Sequence, residues 1–112
     1  ATIPLLDSVA RLGLADYHQL GEEDEWRFGF WMSSLMRRYD NSYYQYREDM
    51  LEEGRWQMSR RDLGVWFANP GALSWWKTSA SIFSPEFTAL VEEILGEQQT
   101  AETRDDSGTA LT

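Results

Sequence analysis

The sequence contains no cysteine, and it has a single histidine, His18. Without cysteine the chain has no disulfide framework, no thiolate zinc site and no cysteine nucleophile, so packing must hold the fold. A carboxylate metal centre in a helical bundle needs Glu-x-x-His motifs on its helices. Because His18 lies in a predicted connection, the chain offers no such motif, and we expect neither a bound metal nor a cofactor.

Basic residues are also scarce. Ten lysines and arginines face 19 acidic residues, which gives a formal net charge of −9. A chain of this charge repels the phosphate backbone of nucleic acids, so we expect no nucleic-acid partner. No run approaches the about 20 apolar residues that cross a bilayer. Membrane contact is therefore expected only through a segment that this sequence does not contain.

Catalytic patterns are missing as well. The nucleophile turn Gly-x-Ser-x-Gly does not occur, so a serine activated by His18 has no sequence support. The paired acids Glu52–Glu53 and Glu92–Glu93 occupy adjacent helical positions, which point about 100° apart and cannot hold one ion together. We therefore predict a protein that is not an enzyme.

The chain is rich in large apolar side chains. Its 112 residues are 42% hydrophobic and 14% aromatic, with six tryptophans, which is enough for one small core. We predict a single helical domain at 1–96. Residues 97–112 are polar and lack aromatics, a composition typical of a disordered tail.

The stretch 22–53 is predicted to form one long helix. Four acids, Glu22 to Glu25, lie where the positive end of a helix dipole favours them. Apolar and aromatic residues then recur every three or four positions from Phe28 to Met50. Gly54 is the expected stop.

Four shorter helices are predicted at about 4–14, 55–69, 72–81 and 85–95. Ser84 and Pro85 form an N-cap and first-turn pair, and Gly96 is the expected end of the last helix. Because the connections are short, neighbouring helices should run antiparallel. The fold class is all-α, a small antiparallel bundle organised on the long helix.

The middle of the long helix contains more polar groups than a core requires. Buried tyrosine hydroxyls need hydrogen-bond partners, so a network with an arginine or asparagine is expected there. Together with a tryptophan of the next helix, these residues also suggest a ligand pocket. The candidate binding residues of this region are Asn41, Tyr43, Tyr46, Arg47 and Trp56, with Tyr39 beside them.

Two further features suggest a binding surface. Six of the ten basic residues are arginines between Arg37 and Arg61; they suit an anionic partner, or they pair with neighbouring acids along the same helices. Trp75 and Trp76 are adjacent, so both cannot face one narrow core stripe. One of them is expected at the core edge or on an interface, where tryptophan is enriched.

Several motifs in this order resemble a group of uncharacterised bacterial helical-domain proteins. The motifs are NSYYQYR at 41–47, NPG at 69–71 followed by Trp75–Trp76, and FSPEF at 83–87. Proteins of that group have a membrane segment near the N-terminus. The resemblance implies a helical soluble domain near a bacterial membrane, expected at the cytoplasmic face of the inner membrane, and it implies no active site.

The sequence thus predicts a non-enzymatic helical interaction module, the soluble part of a membrane-anchored bacterial protein, that binds a protein partner or itself. The alternative is a small-molecule sensor with an aromatic and arginine-lined pocket between helices. A closed packing of Tyr39, Tyr43, Tyr46, Trp56 and Arg47 on one another would count against that alternative.

Overall fold

A computed structural model describes the backbone of residues 2–111 and the side chains of residues 8–101. Two short 3-10 turns, Tyr17–Gln19 and Ala80–Ile82, connect longer helices, and the described backbone contains no strand. The helices are α1 Thr2–Ala15, α2 Glu22–Arg47, α3 Glu53–Phe67, α4 Pro70–Ser79 and α5 Pro85–Leu111. The all-α class, a small antiparallel bundle organised on the long helix, is confirmed.

Helix α2 begins at Glu22, as its acidic first turn predicts, but it ends at Arg47 rather than near 53. Asp49 has a φ of 59°, in the left-handed region. Its N–H donates to the Tyr46 carbonyl at 3.1 Å, and the Met50 N–H donates to the Gln45 carbonyl at 2.8 Å. This pair of bonds is a Schellman motif, which closes the helix with Asp49 where glycine is usual.

The helix stops predicted at Gly54 and Gly96 are wrong, and the helix start predicted at Pro85 is confirmed. Gly54 lies in the first turn of α3, and Gly96 lies inside α5. No glycine among the described residues has a positive φ, so none of them ends a helix in the left-handed conformation. Pro70 takes the first position of α4, two residues before the predicted start at 72. The Ser84 Oγ accepts from the Phe87 N–H at 3.2 Å, which confirms its capping role.

Helix α5 passes through the predicted domain boundary at Gly96 because α3 holds its continuation. The Arg60 guanidinium donates to both carboxylate oxygens of Glu97 at 3.0 Å. The Gln98 Nε2 donates to the Gly64 carbonyl at 2.6 Å. The helical domain therefore extends beyond 96, and the predicted tail from 102 onward lies outside the residues whose side chains are described.

The core is organised around Trp75 and Trp76, which are 2% and 1% exposed. The Trp76 ring lies 5.6 to 6.0 Å from those of Phe67, Phe83 and Phe87, and its Nε1 donates to Glu92 at 3.2 Å. Edge-to-face and tilted pairs of this kind add to the free energy gained by burial. Helix α4 can bury both tryptophans because it packs against α1, α3 and both 3-10 turns.

Two glycines bring α1 and α4 into close contact. A Cβ added at Gly71 would collide with the carbonyl group of Gly13, so the two backbones touch. Gly13 in turn lies under the ring of Phe28, and a side chain there would collide with that ring. The first helix continues past Gly13 to Ala15.

Gly71→Ala should destabilise the fold by about 2–3 kcal/mol, because backbone atoms of Gly13 cannot move aside for the new methyl group. Gly96→Ala is the matched control. A Cβ there meets no atom within 4 Å, and alanine is the better helix former, so stability should rise by up to about 1 kcal/mol. Urea denaturation of both variants checks this; equal stability of Gly71→Ala and wild type would contradict the close contact.

Glu97→Gln should reduce stability at neutral pH by up to about 1 kcal/mol. The Arg60 guanidinium holds the pKa of the Glu97 carboxyl below its ordinary value of 4.5. A lowered carboxyl pKa gives stability that is present above pH 4.5 and lost as the pH falls through the folded-state pKa. Thermal unfolding from pH 7 to pH 3 should therefore show a smaller acid loss in the variant. Glu48→Gln, whose carboxylate has no ion pair among the described residues, should keep the wild-type profile.

Candidate functional site

The structure brings together Tyr43, Tyr46 and Trp56, three of the predicted binding residues. The ring centroids of Tyr43 and Tyr46 lie 5.0 and 5.3 Å from that of Trp56, at interplanar angles of 28° and 17°. Trp56 is buried, and both tyrosines pack against the core. We call these three rings the stack. They fill the space between α2 and α3 with one another, so the stack does not enclose a ligand pocket.

The polar groups around the stack also have internal partners. The Tyr46 hydroxyl donates to the Glu53 carboxylate at 2.6 Å, which raises the pKa of Tyr46 and lowers that of Glu53. We expected Asn41 or Arg47 as partner, whereas the partner comes from the next helix. The Arg47 guanidinium lies 4.9 Å from the Tyr43 ring centroid, a cation–π distance. Tyr39 accepts a hydrogen bond from the Trp66 Nε1 at 3.1 Å.

Asn41 lies apart from the stack, on the exposed side of α2. It lines an open cavity of about 560 Å³ between α2 and the start of α5. Two arginines and two acids line this cavity, so its formal charge balances and selects no ligand of one sign. Its lining residues are Arg37, Asp40, Asn41, Tyr44, Arg47, Ser84 and Glu86.

One of Trp75 and Trp76 is predicted at the core edge or on an interface; both are buried, and Trp75 also lines a cavity at the edge of the core. The most exposed large aromatic residues are instead Trp26 and Phe30, at 72% and 66% exposure, followed by Tyr44 at 50%. They are four residues apart on α2, and their rings stack at 5.8 Å with an interplanar angle of 17°. We call them the aromatic pair. The sequence contained one indication of their exposure, because neither residue belongs to the apolar repeat of three and four positions along the long helix.

A second cavity, of about 500 Å³, opens beside the aromatic pair, and we call it the α2 cavity. Among the residues with described side chains, its lining contains two acids, four aromatic residues and no lysine or arginine. Neither acid, Glu22 or Glu25, forms an ion pair with a described residue, whereas Arg27 pairs with Glu23 and Asp24. The lining residues are Tyr17, Glu22, Glu25, Trp26, Gly29, Phe30, Ser33, Trp75 and Ser79.

Trp75 joins the α2 cavity to the core. Its indole Nε1 forms no hydrogen bond with a described residue, although every fully buried side-chain nitrogen and oxygen among those residues has a partner. The nitrogen is therefore reached from the cavity that Trp75 lines. A Cβ added at Gly29, another lining residue, would lie 3.5 Å from it. The cavity thus offers one free donor at its floor.

The opposite side of the α2 cavity is formed by the first 3-10 turn. Partial burial, together with the Glu25 carboxylate beside the hydroxyl, raises the pKa of Tyr17. The Asp16 carboxylate accepts from the backbone N–H of His18 at 3.1 Å, so this acid caps the turn. The imidazole of His18 is exposed and lies 5.5 Å from the ring of Tyr17.

Comparison of the sequence with protein-family models gave no match, and comparisons with curated proteins and solved structures gave no significant match. The resemblance to bacterial helical-domain proteins therefore stays a prediction. Within the described part of the chain, no helix is both long and apolar enough to cross a membrane. The same part shows no cluster of three acids or histidines that could hold a metal ion.

Trp56→Ala should destabilise the fold by about 3–5 kcal/mol, because it removes the middle ring of the stack. Asn41→Ala should change stability by no more than about 0.5 kcal/mol, since Asn41 is exposed. Chemical denaturation of both variants distinguishes a structural stack from an open binding site. A small loss for Trp56→Ala would mean that the stack contributes little to packing.

Proposed function

We propose that this chain is a non-enzymatic helical interaction module that binds a protein partner through the aromatic pair. The observation that carries the proposal is the exposure of Trp26 and Phe30 as one stacked apolar surface. Tryptophan and other aromatic residues are enriched in the centres of protein interfaces and contribute much of the binding free energy. The core of this chain has no need of these two rings, because α2 faces it with Phe28 and Met32.

A different protein suits this surface better than a second copy of the chain. The acids Glu22 and Glu25 border the aromatic pair, and the whole chain carries a net charge of −9. Two copies would repel each other at long range, whereas a basic partner would be attracted. The resemblance to bacterial helical-domain proteins supports a setting at the cytoplasmic face of an inner membrane.

The alternative function, a small-molecule sensor, has weaker support, because its ligand pocket was predicted at a place where the side chains pack closely. Its pocket was expected among Tyr39, Tyr43, Tyr46, Trp56 and Arg47, which pack on one another or bond to neighbours. The α2 cavity lies elsewhere and is open, as a binding site for part of a larger partner would be.

A photo-crosslinking phenylalanine analogue placed at Trp26 should yield an adduct with a distinct protein in the native host cell. The same analogue at Met58, which is 66% exposed on α3, is the matched control and should yield none. Mass spectrometry then identifies the partner. Adducts of equal yield at both positions, or an adduct only with a second copy of this chain, would contradict the proposal.

With the identified partner, Phe30→Ala should weaken binding about 30-fold, the effect of losing about 2 kcal/mol at an interface centre. Val65→Ala is the control, since Val65 is comparably exposed on α3. Both variants should unfold within about 0.5 kcal/mol of wild type, so the loss would be one of binding.

A further inference from the structure

The chemistry of the α2 cavity specifies its occupant more closely than the aromatic pair alone. Resting on the function proposed above, we propose that the cavity receives one arginine side chain of the partner, and that the partner's main chain supplies an acceptor to Trp75. Three independent features of the cavity support this occupant: its charge, its aromatic walls and the free donor at its floor.

The charge of the lining favours a cation. Glu22 and Glu25 are the charged groups of the lining, and both are acids. The nearby cation Arg27 is held by Glu23 at 2.8 Å and lies close to Asp24 at 3.5 Å, so it does not neutralise the two cavity acids. An arriving guanidinium can therefore form charge-assisted hydrogen bonds with two carboxylates that pair with no cation among the described side chains.

The aromatic walls favour a planar cation over a compact one. The rings of Trp26 and Phe30 lie within 17° of parallel and present exposed faces beside the two acids. A guanidinium is flat and weakly hydrated, so it stacks on aromatic rings while its edge pairs with a carboxylate. The chain itself contains such contacts, since Arg37 lies over Phe83 and Arg47 lies over Tyr43.

The donor at the floor of the cavity is available to an acceptor, which a guanidinium lacks. The Trp75 side chain is only 2% exposed, yet its indole N–H has no acceptor among the described residues. A carbonyl oxygen of the partner's backbone, next to the inserted arginine, can supply that acceptor. The Trp75 donor therefore distinguishes two classes of ligand. A peptide segment brings a carbonyl acceptor, whereas a simple amine carries charge without an acceptor.

The test titrates the folded protein with the peptide acetyl-Gly-Arg-Gly-amide while the six indole N–H signals are followed by NMR. The matched probe replaces arginine with citrulline, which has nearly the same shape and no charge. We expect the signals of Trp26 and Trp75 to shift with the arginine peptide, and binding of the citrulline peptide to be at least tenfold weaker. Equal binding of both peptides, or an unmoved Trp75 signal, would overturn the proposal.

Two variants of the cavity provide independent checks. The double variant Glu22→Gln, Glu25→Gln should weaken arginine-peptide binding at least tenfold, whereas the control Glu48→Gln should not. Gly29→Ala places a methyl group 3.5 Å from the Trp75 Nε1 at an ordinary contact distance, so it should cover the donor without disturbing the fold. It should weaken binding about tenfold while the protein stays folded; unchanged binding would show that the donor is not part of the site.

Other occupants would show themselves in the same experiment. Spermidine that shifts Trp26 and Trp75 as strongly as the peptide would assign the cavity to a free organic cation and overturn the proposal. Should the crosslinked partner bind the double glutamine variant as tightly as wild type, the arginine inference fails and the interaction module stands. Should no partner crosslink at position 26, the proposed function fails whatever the peptide does.

Discussion

The burial of two consecutive tryptophans on a ten-residue helix is the constraint that shapes this structure. Neighbouring helical positions point about 100° apart, so Trp75 and Trp76 must be covered from two directions. On one side α1 approaches α4 until the backbones of Gly13 and Gly71 touch. On the other side the rings of Phe83 and Phe87, which flank the start of α5, pack against Trp76. The positions of α1 and α5 therefore follow from the need to bury the side chains of α4.

Local signals in the sequence predicted where helices begin better than where they end. Pro85 with Ser84, and the acids at Glu22, act within one helical turn, and the structure keeps those starts. A stop depends on the backbone conformation that the following chain imposes. Gly54 and Gly96 lack the positive φ that would end a helix, and Asp49 adopts it instead. The turn between α2 and α3 requires that conformation, and composition alone does not reveal it.

The candidate site was only partly predictable, for a related reason. The sequence identifies which residues are aromatic, but packing between distant segments decides which of them stay exposed. One of Trp75 and Trp76 is predicted at the core edge or on an interface, whereas both are buried, with Trp75 against Phe83 and Trp76 against Phe67. The aromatic pair could have been found from its position off the apolar seam of α2. The bond from Tyr46 to Glu53 was beyond sequence reasoning, since the long helix was expected to continue through Glu53.

Trp75 belongs at once to the core and to the wall of the α2 cavity. Its donor is positioned only when α4 is packed, so an occupant that uses this donor binds the folded chain and ignores the unfolded one. By mass action, such an occupant at 100 times its Kd raises the free energy of unfolding by about 2.7 kcal/mol. A chain of this size is only marginally stable, so its resistance to proteolysis in the cell would follow the abundance of its partner.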